Sequence, residues 1–164
     1  MASAFTIKES VIKDTLKSKV TIHCDGRSIE VVALWDTGAT ASCISEEVVA
    51  DLNLVATGHI PRHTPSGHDI AKTYLVDVTL PNDVQVPDLR VCDSKIGDQG
   101  IGMLIGMDII NRGDFIVNNY QGKTVFSFRM PAESILDFVT GIKASNIING
   151  KRSPKNRYQG KKRK

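Results

Sequence analysis

The residues best suited to chemistry lie where an apolar run ends in a turn. Residues 31–35 (Val-Val-Ala-Leu-Trp) lead directly into Asp36, Thr37 and Gly38. A short β-branched run predicts a buried strand, and an acid at its end needs polar partners because burying an unpaired charge is costly. Thr37 supplies a hydroxyl, and Gly38 lets the backbone turn close to another group. This pattern predicts a carboxylate at the floor of a cleft, available for acid–base chemistry.

The tripeptide alone is a weak signal of a site. Asp, Thr and Gly are common turn residues, and about one chain in twenty of this length would contain Asp-Thr/Ser-Gly by chance. The surrounding elements must therefore decide whether residues 36–38 form an ordinary turn or a site.

Before the turn, the sequence has the pattern of a β-hairpin. Residues 5–8 and 19–24 alternate as strands do, and residues 25–26 (Asp-Gly) are typical of a tight hairpin turn. Residues 28–32 then return toward Asp36. We expect these strands to position the acid.

After the turn, Ser45 predicts the N-cap of a helix that begins with two acids and ends near Leu54. Residues 57–73 are polar and rich in chain breakers, and residues 74–80 alternate as a strand. We expect a hairpin there, with its tip near residues 65–67.

The second informative stretch is an apolar strand, residues 103–105, that meets Gly106. A short helix over residues 107–112, closed by Gly113, should follow it. Apolar residues around 135–139 predict a further short helix that ends at Gly141. Other strands are predicted at residues 83–86, 89–92, 114–118 and 123–128, the last two joined by a turn at residues 120–122.

Together, Asp36-Thr37-Gly38 and the later Leu104-Ile105-Gly106 before a short helix resemble the motifs of retropepsin-like aspartic proteases. The resemblance covers about residues 18–130 and is strongest to the single-domain members encoded by bacteria. It implies an all-β fold: the closed β-barrel of an acid-protease half, with a flap hairpin and short helices. The chain adds a C-terminal helix to this fold.

The resemblance also implies residue roles. Asp36, Thr37 and Gly38 would be catalytic, and no cofactor or metal is implied. Substrate would contact the residues after the catalytic loop, the flap tip and the second motif, namely Ala39, Thr40, Pro65, Ser66, Gly67 and Ile105.

A single Asp-Thr-Gly has a consequence for assembly. Aspartic proteolysis requires two carboxylates that share a proton. Asp108 follows Gly106 without a Thr-Gly partner, so it is not a second copy of the loop. The dyad would have to come from Asp36 of two subunits in a homodimer. Met107 stands where some viral relatives have an arginine that braces the dimer, so the brace must differ here.

Other candidate sites are weaker. His59, His63 and His68 with Asp69 do not have zinc-site spacing, and we interpret them as solvated loop residues. Cys43 fits a small buried thiol better than a nucleophile. The three cysteines form no metal-type spacing and suit a reducing cytoplasm.

Composition places the chain among globular proteins, with 41% hydrophobic and 24% charged residues. We expect a protease domain at residues 1–143 and a basic, disordered tail at residues 144–164. Residues 151–164 hold eight Lys or Arg and no acid, whereas the rest holds 13 basic and 18 acidic residues. We favour a solubilising tail over a nucleic-acid-binding one. No run is long enough to span a membrane, and residues 1–9 lack the apolar segment of a secretory signal, so we expect a cytoplasmic protein.

Two functions remain from the sequence. The first is a homodimeric aspartic endopeptidase that acts on extended peptide or protein segments. The alternative is a retropepsin-like module that dimerises or binds peptides without cleaving them, as the apolar-poor flap region and the missing arginine brace suggest.

Overall fold

A computed structural model describes the backbone of residues 1–64 and 67–152, and the side chains of residues 1–61 and 70–149. The chain divides into two units, Met1–Glu133 (unit 1) and Ser134–Lys164 (unit 2). The strands, all in unit 1, are β1 (Ser3–Lys8), β2 (Leu16–Cys24), β3 (Arg27–Trp35), β4 (Cys43–Ser45), β5 (Gly58–Thr64), β6 (Gly67–Leu80), β7 (Val84–Ser94), β8 (Met103–Ile105), β9 (Asp114–Asn118) and β10 (Val125–Met130). The helices are α1 (Glu46–Asp51), α2 (Met107–Ile110) and α3 (Phe138–Arg152).

Unit 1 is a closed six-stranded barrel with a smaller sheet beside it. The barrel order is β2-β3-β8-β4-β7-β6, and pairing of β6 with β2 closes it. β5 extends the barrel sheet at β6, and β1, β10 and β9 form a separate three-stranded sheet. The all-β barrel predicted from the sequence is confirmed.

β8 lies between β3 and β4, although it comes much later in the chain. It runs parallel to β3, with Trp35 in register with Ile105, and antiparallel to β4. Because strand neighbours share backbone hydrogen bonds, this insertion brings the second sequence motif beside the end of β3.

An aromatic cluster fills the core next to β3. Trp35 is 5% exposed, and its ring stacks on Phe115 with 5.2 Å between ring centroids. Phe126 and Phe128 pack against the same indole ring. The indole N–H donates to the hydroxyl of Ser18 at 3.0 Å, which satisfies the one polar atom that burial would otherwise leave unpaired. Trp35 is therefore a core residue.

The predicted turn at Asp25 and Gly26 and the predicted N-cap at Ser45 are confirmed. Asp25 and Gly26 adopt φ angles of 48° and 74° between β2 and β3, as a tight hairpin turn requires. The Ser45 hydroxyl accepts the Val48 N–H at 3.3 Å and caps α1. The helix ends at Asp51, before the predicted Leu54.

Residues 57–73 mostly belong to strands. β5 pairs with β6 from Gly58 opposite Thr73 to Thr64 opposite Gly67, so the predicted hairpin is present. Its predicted tip residues Pro65 and Ser66 lie outside the described residues. The two strands predicted at residues 83–86 and 89–92 form the single strand β7, which continues through Asp88 at φ 52°.

Gly113 is explained by close packing, and the prediction that it caps α2 is wrong. The C-cap of α2 is Asn111, and Gly113 does not have a positive φ. A Cβ atom at Gly113 would lie 1.9 Å from the carbonyl oxygen of Arg129. The glycine therefore permits the β9 end to approach β10.

Unit 2 contains α3, whose first turn is capped by the Asp137 carboxylate. Asp137 accepts the N–H groups of Val139 and Thr140 at 2.9 and 3.3 Å. The predicted end at Gly141 is wrong, because the helix continues to Arg152 and includes residues 144–152, which composition assigned to the tail. Residues 153–164 lie outside the described residues. Among the helices described, none is both long and apolar enough to cross a membrane.

Candidate active site

Backbone contacts hold Asp36 at the end of β3. Its N–H donates to the carbonyl of Ile105 at 2.9 Å, which continues the β3–β8 pairing by one residue. The N–H of Gly38 donates to the Oδ1 atom of Asp36 at 2.8 Å, and the N–H of Ala39 donates to its carbonyl at 3.2 Å. The half-buried carboxylate therefore has a fixed backbone donor on one oxygen.

Two glycines allow this loop to be compact. A Cβ at Gly38 would stand 3.1 Å from the Oδ1 atom of Asp36. A Cβ at Gly106 would stand 2.7 Å from the carbonyl carbon of Ala41 and 2.9 Å from the carbonyl oxygen of Ala39. The adjacent N–H of Met107 donates to that same Ala39 oxygen at 2.8 Å. Only a residue without a side chain lets the second motif approach the Asp36 loop this closely.

Buried Ser42 and half-buried Asp108 form a polar connection between the two motifs. The carboxylate of Asp108 accepts the hydroxyl of Ser42 at 2.6 Å and its N–H at 2.9 Å. The Ser42 hydroxyl oxygen in turn accepts the N–H of Gly106 at 3.0 Å. Ser42 is completely buried, so these bonds are shielded from water. They fix the end of the Asp36 loop to the start of α2.

A pocket of about 400 Å³ opens beside Asp36. It is bounded by the residues just before β2, the end of β3, the turn that contains Asp36 and two residues of β9. The lining residues are Asp14, Thr15, Leu16, Leu34, Trp35, Asp36, Thr37, Phe115 and Val117. A carboxylate thus borders an open pocket that has an apolar wall.

Comparisons with known proteins bear on this arrangement. No family model and no curated protein matches the sequence. A retropepsin-like aspartic protease from Rickettsia conorii has a similar structure, with a TM-score of 0.54, 16% identity, and coverage of 79% of this chain and 96% of that chain. This chain has the retropepsin-like fold.

Two further structures resemble parts of this retropepsin-like chain. Simian foamy virus protease has a TM-score of 0.43 and 19% identity, and the match covers 58% of this chain and 91% of that one. The retroviral protease-like domain of Ddi1 from Leishmania major has a TM-score of 0.38 and 15% identity, over 60% of this chain and 78% of that one.

Within this retropepsin-like fold, the residues expected from the sequence fall into different environments. Thr37, Gly38 and Thr40 are exposed, and Ala39 is half-buried. Ile105 is completely buried, and it meets the Asp36 loop through its backbone carbonyl. Gly67 begins β6 opposite Thr64, whereas Pro65 and Ser66 lie outside the described residues.

Sequence reasoning missed the connection between Ser42 and Asp108. Asp108 was considered only as a second catalytic acid, and Ser42 was not considered. The available signal was a polar residue between apolar ones, since Ser42 lies in a segment whose neighbours Cys43 and Ile44 are buried. A buried polar side chain requires a partner, and in the retropepsin-like fold that partner is Asp108.

Proposed function

We propose that the protein is a homodimeric aspartic endopeptidase in which Asp36 of each subunit supplies one carboxylate of a shared dyad. The observation that carries the proposal is the position of Asp36. It ends a barrel strand of a retropepsin-like fold, receives the Gly38 N–H, and borders an open pocket. The sequence holds a single Asp-Thr-Gly, so one chain carries half of such a dyad.

The mechanism follows from two carboxylates that share one proton. Like charges a few ångström apart cannot both ionise, so one Asp36 is ionised and the other is protonated. The ionised carboxylate removes a proton from a water held between them, and the oxygen of that water attacks the scissile carbonyl carbon. The protonated carboxyl donates to the carbonyl oxygen, where negative charge develops.

The neighbouring residues would position this chemistry. The N–H of Gly38 donates to the Oδ1 atom of Asp36 and so orients the carboxylate. Thr37 would bond across the twofold axis and fix the two loops, and exposed Thr40 with Ala39 would begin the substrate wall. Ile105 supports the loop from beneath through its carbonyl, at 2.9 Å from the Asp36 nitrogen.

The β5–β6 hairpin would serve as the flap. Its tip, with Pro65, Ser66 and Gly67, would close over an extended peptide and exclude water during the reaction. The substrate would be a peptide or protein segment in extended form. We keep the cytoplasmic location and the solubilising role of the basic tail as parts of the proposal.

A specific observation supports the alternative of a dimerising or peptide-binding module without cleavage. Met107 takes the place of the arginine that braces the dimer in some viral relatives. The polar connection seen here, from the Ser42 hydroxyl to Asp108, lies inside one chain. A weaker brace between subunits would favour binding over efficient catalysis.

The test compares wild type with Asp36→Asn on a peptide library from about pH 4 to about pH 7, where dyads of this type work. We expect cleavage by the wild-type dimer and a loss of at least about a thousandfold in Asp36→Asn. Asp51→Asn, which changes an exposed acid on α1, is the matched control. Undiminished cleavage by Asp36→Asn, or cleavage by a strictly monomeric sample, would refute the mechanism. A dimer that binds peptides without cleaving them would establish the alternative.

A further inference from the structure

The small sheet of unit 1 has two edge strands in the described residues, β1 and β9. β1 pairs with β10 along six residues, from Ser3 opposite Met130 to Lys8 opposite Val125. β10 uses its other edge for β9. In the part of the chain that the structure describes, β9 pairs with β10 alone. The edge of β9 that faces away from β10 therefore has no described strand beside it, and a strand of another chain can pair there.

This edge strand borders the candidate active site. Phe115 and Val117 of β9 line the same pocket as Asp36 and Thr37. Val117 is 43% exposed, and Phe115 stacks on Trp35, the residue that precedes Asp36. The stacking of Phe115 on Trp35 therefore connects the edge strand to the residue next to Asp36.

The other edges in unit 1 are less suited to pairing. The carbonyl of Ala4 in β1 already accepts the side-chain amide of Asn82 at 2.8 Å. β5 contains Pro61, which has no N–H to donate to a neighbouring strand. β9 has no proline and places three apolar residues in succession, Phe115, Ile116 and Val117. Such an edge pairs readily with another chain unless it is covered.

We propose that β9 pairs antiparallel with β9 of a second copy of this chain, which makes a six-stranded intersubunit sheet and brings both Asp36 pockets to the twofold axis. A twofold axis brings the same surface patch of each subunit together. Since residues of β9 and of the Asp36 loop line the same pocket, a twofold axis beside β9 would also lie close to the Asp36 loop. Each copy then supplies the carboxylate that the other lacks. This inference rests on the proposed function, which requires two subunits.

In this arrangement the interface does not need β1 or β10 of one subunit to pair with a strand of the other. β1 pairs with β10 of its own chain and its Ala4 carbonyl accepts the Asn82 side-chain amide, so the proposed interface uses β9 and not β1. The exposed part of Val117 and the wall formed by Phe115 would be buried between the copies. Backbone hydrogen bonds along β9 would set the register, and the apolar side chains would supply the affinity.

Cross-linking tests the interface independently of cleavage. Single cysteines are introduced at Phe115, Ile116 and Val117 in the Asp36→Asn chain, with Cys24→Ser to remove a half-buried thiol. Thr6→Cys, on the exposed side of β1, is the control. Oxidation with a disulfide reagent should link two subunits at one β9 position, near the axis, at a yield at least about tenfold above Thr6→Cys, because antiparallel pairing brings only one residue opposite itself. Equal or greater linkage at Thr6, or none at any β9 position, overturns the proposal.

A second variant measures the affinity. Val117→Lys would place two like charges near the axis, so the dimer dissociation constant should rise at least about tenfold. Val55→Lys, at an 82% exposed valine outside the sheet, should leave it unchanged. Thermal melting checks that both variants fold. A chain that is monomeric at every concentration, or a dimer insensitive to Val117→Lys, overturns the interface.

The two proposals fail separately. A dimer that links through β9 but cleaves no peptide supports the interface and refutes the protease. A dimer that cleaves peptides through Asp36 and shows no β9 linkage refutes the interface and leaves the protease intact.

Discussion

Removal of the Asp108 carboxylate should destabilise unit 1 and loosen the Asp36 loop. Its oxygens accept the Ser42 hydroxyl at 2.6 Å, the Ser42 N–H at 2.9 Å and the Ile109 N–H at 2.9 Å. Ser42 is completely buried, so Asp108→Ala leaves its N–H without its side-chain acceptor. The Ser42 hydroxyl keeps its bond from Gly106 but loses the acceptor that orients it.

The magnitude follows from these bonds. A hydrogen bond to a charged group contributes about 1.5–3 kcal/mol. The two bonds from Ser42, at the lower value because Asp108 is only half-buried, give an expected loss of about 3 kcal/mol for Asp108→Ala. Asp108→Asn keeps the shape and one acceptor oxygen, and the Ser42 hydroxyl can accept from the new amide, so about half of that loss is expected.

Urea unfolding followed by the fluorescence of Trp35 measures both values. Trp35 is the single tryptophan of the chain and is buried in unit 1, so its signal reports on this unit. Asp51→Asn, at an exposed acid, is the control and should change the free energy of unfolding by less than about 0.5 kcal/mol.

A double-mutant cycle tests the reasoning itself. If Ser42 and Asp108 act together, combining Ser42→Ala with Asp108→Asn should cost about 1–2 kcal/mol less than the sum of the single changes. Additive effects, or an Asp108→Ala protein as stable as the wild type, would show that the hydrogen bonds between Ser42 and Asp108 contribute little to stability. For the proposed protease, the same variants should lower kcat more than they raise KM, because they displace Asp36 without touching substrate.

Two further predictions concern unit 1. Gly106→Ala should lower the free energy of unfolding by about 2–3 kcal/mol in the same assay, because its Cβ would lie 2.7 Å from the Ala41 backbone. Gly141→Ala is the control, since a Cβ there meets nothing within 4 Å, and it should leave the stability of unit 1 unchanged. Burial first, and then the nearby Asp93 carboxylate, raises the pKa of Tyr74 above its ordinary value. The unfolded chain therefore loses this proton first, and stability should fall as pH rises from about 10 through the pKa of the folded protein. Tyr74→Phe should remove that part of the fall in pH-dependent unfolding, and an unchanged profile would contradict the assignment.

The features predicted correctly are those that nearby residues determine. Asp25 and Gly26 specify a turn with two positive φ angles whatever the rest of the chain does. Ser45 caps α1 with its own side chain, three residues from the N–H it accepts. The strands follow alternation, which reports the two faces of a sheet directly.

The features that were missed depend on residues far apart in the chain. Ser42 and Asp108 are 66 positions apart, so the pattern around Ser42 indicates that it needs a partner but not which residue that partner is. Gly113 has the position of a helix-ending glycine, yet the carbonyl of Arg129 in a distant strand requires it. α3 passes through Gly141 because nothing there forces a left-handed turn, and a single helical glycine costs only about 1 kcal/mol.

Trp35 connects the core, the candidate catalytic acid and the proposed interface. Its indole N–H is held by Ser18, its ring lies on Phe115 of the edge strand, and its backbone pairs in register with Ile105. Asp36 follows directly, so its backbone cannot move far without disturbing all three contacts. A dyad shared between subunits needs both carboxylates placed accurately before the copies meet, because one association step cannot correct errors in two separate loops. In the proposed dimer, the packing of Trp35 would fix each Asp36 in place before the two subunits meet.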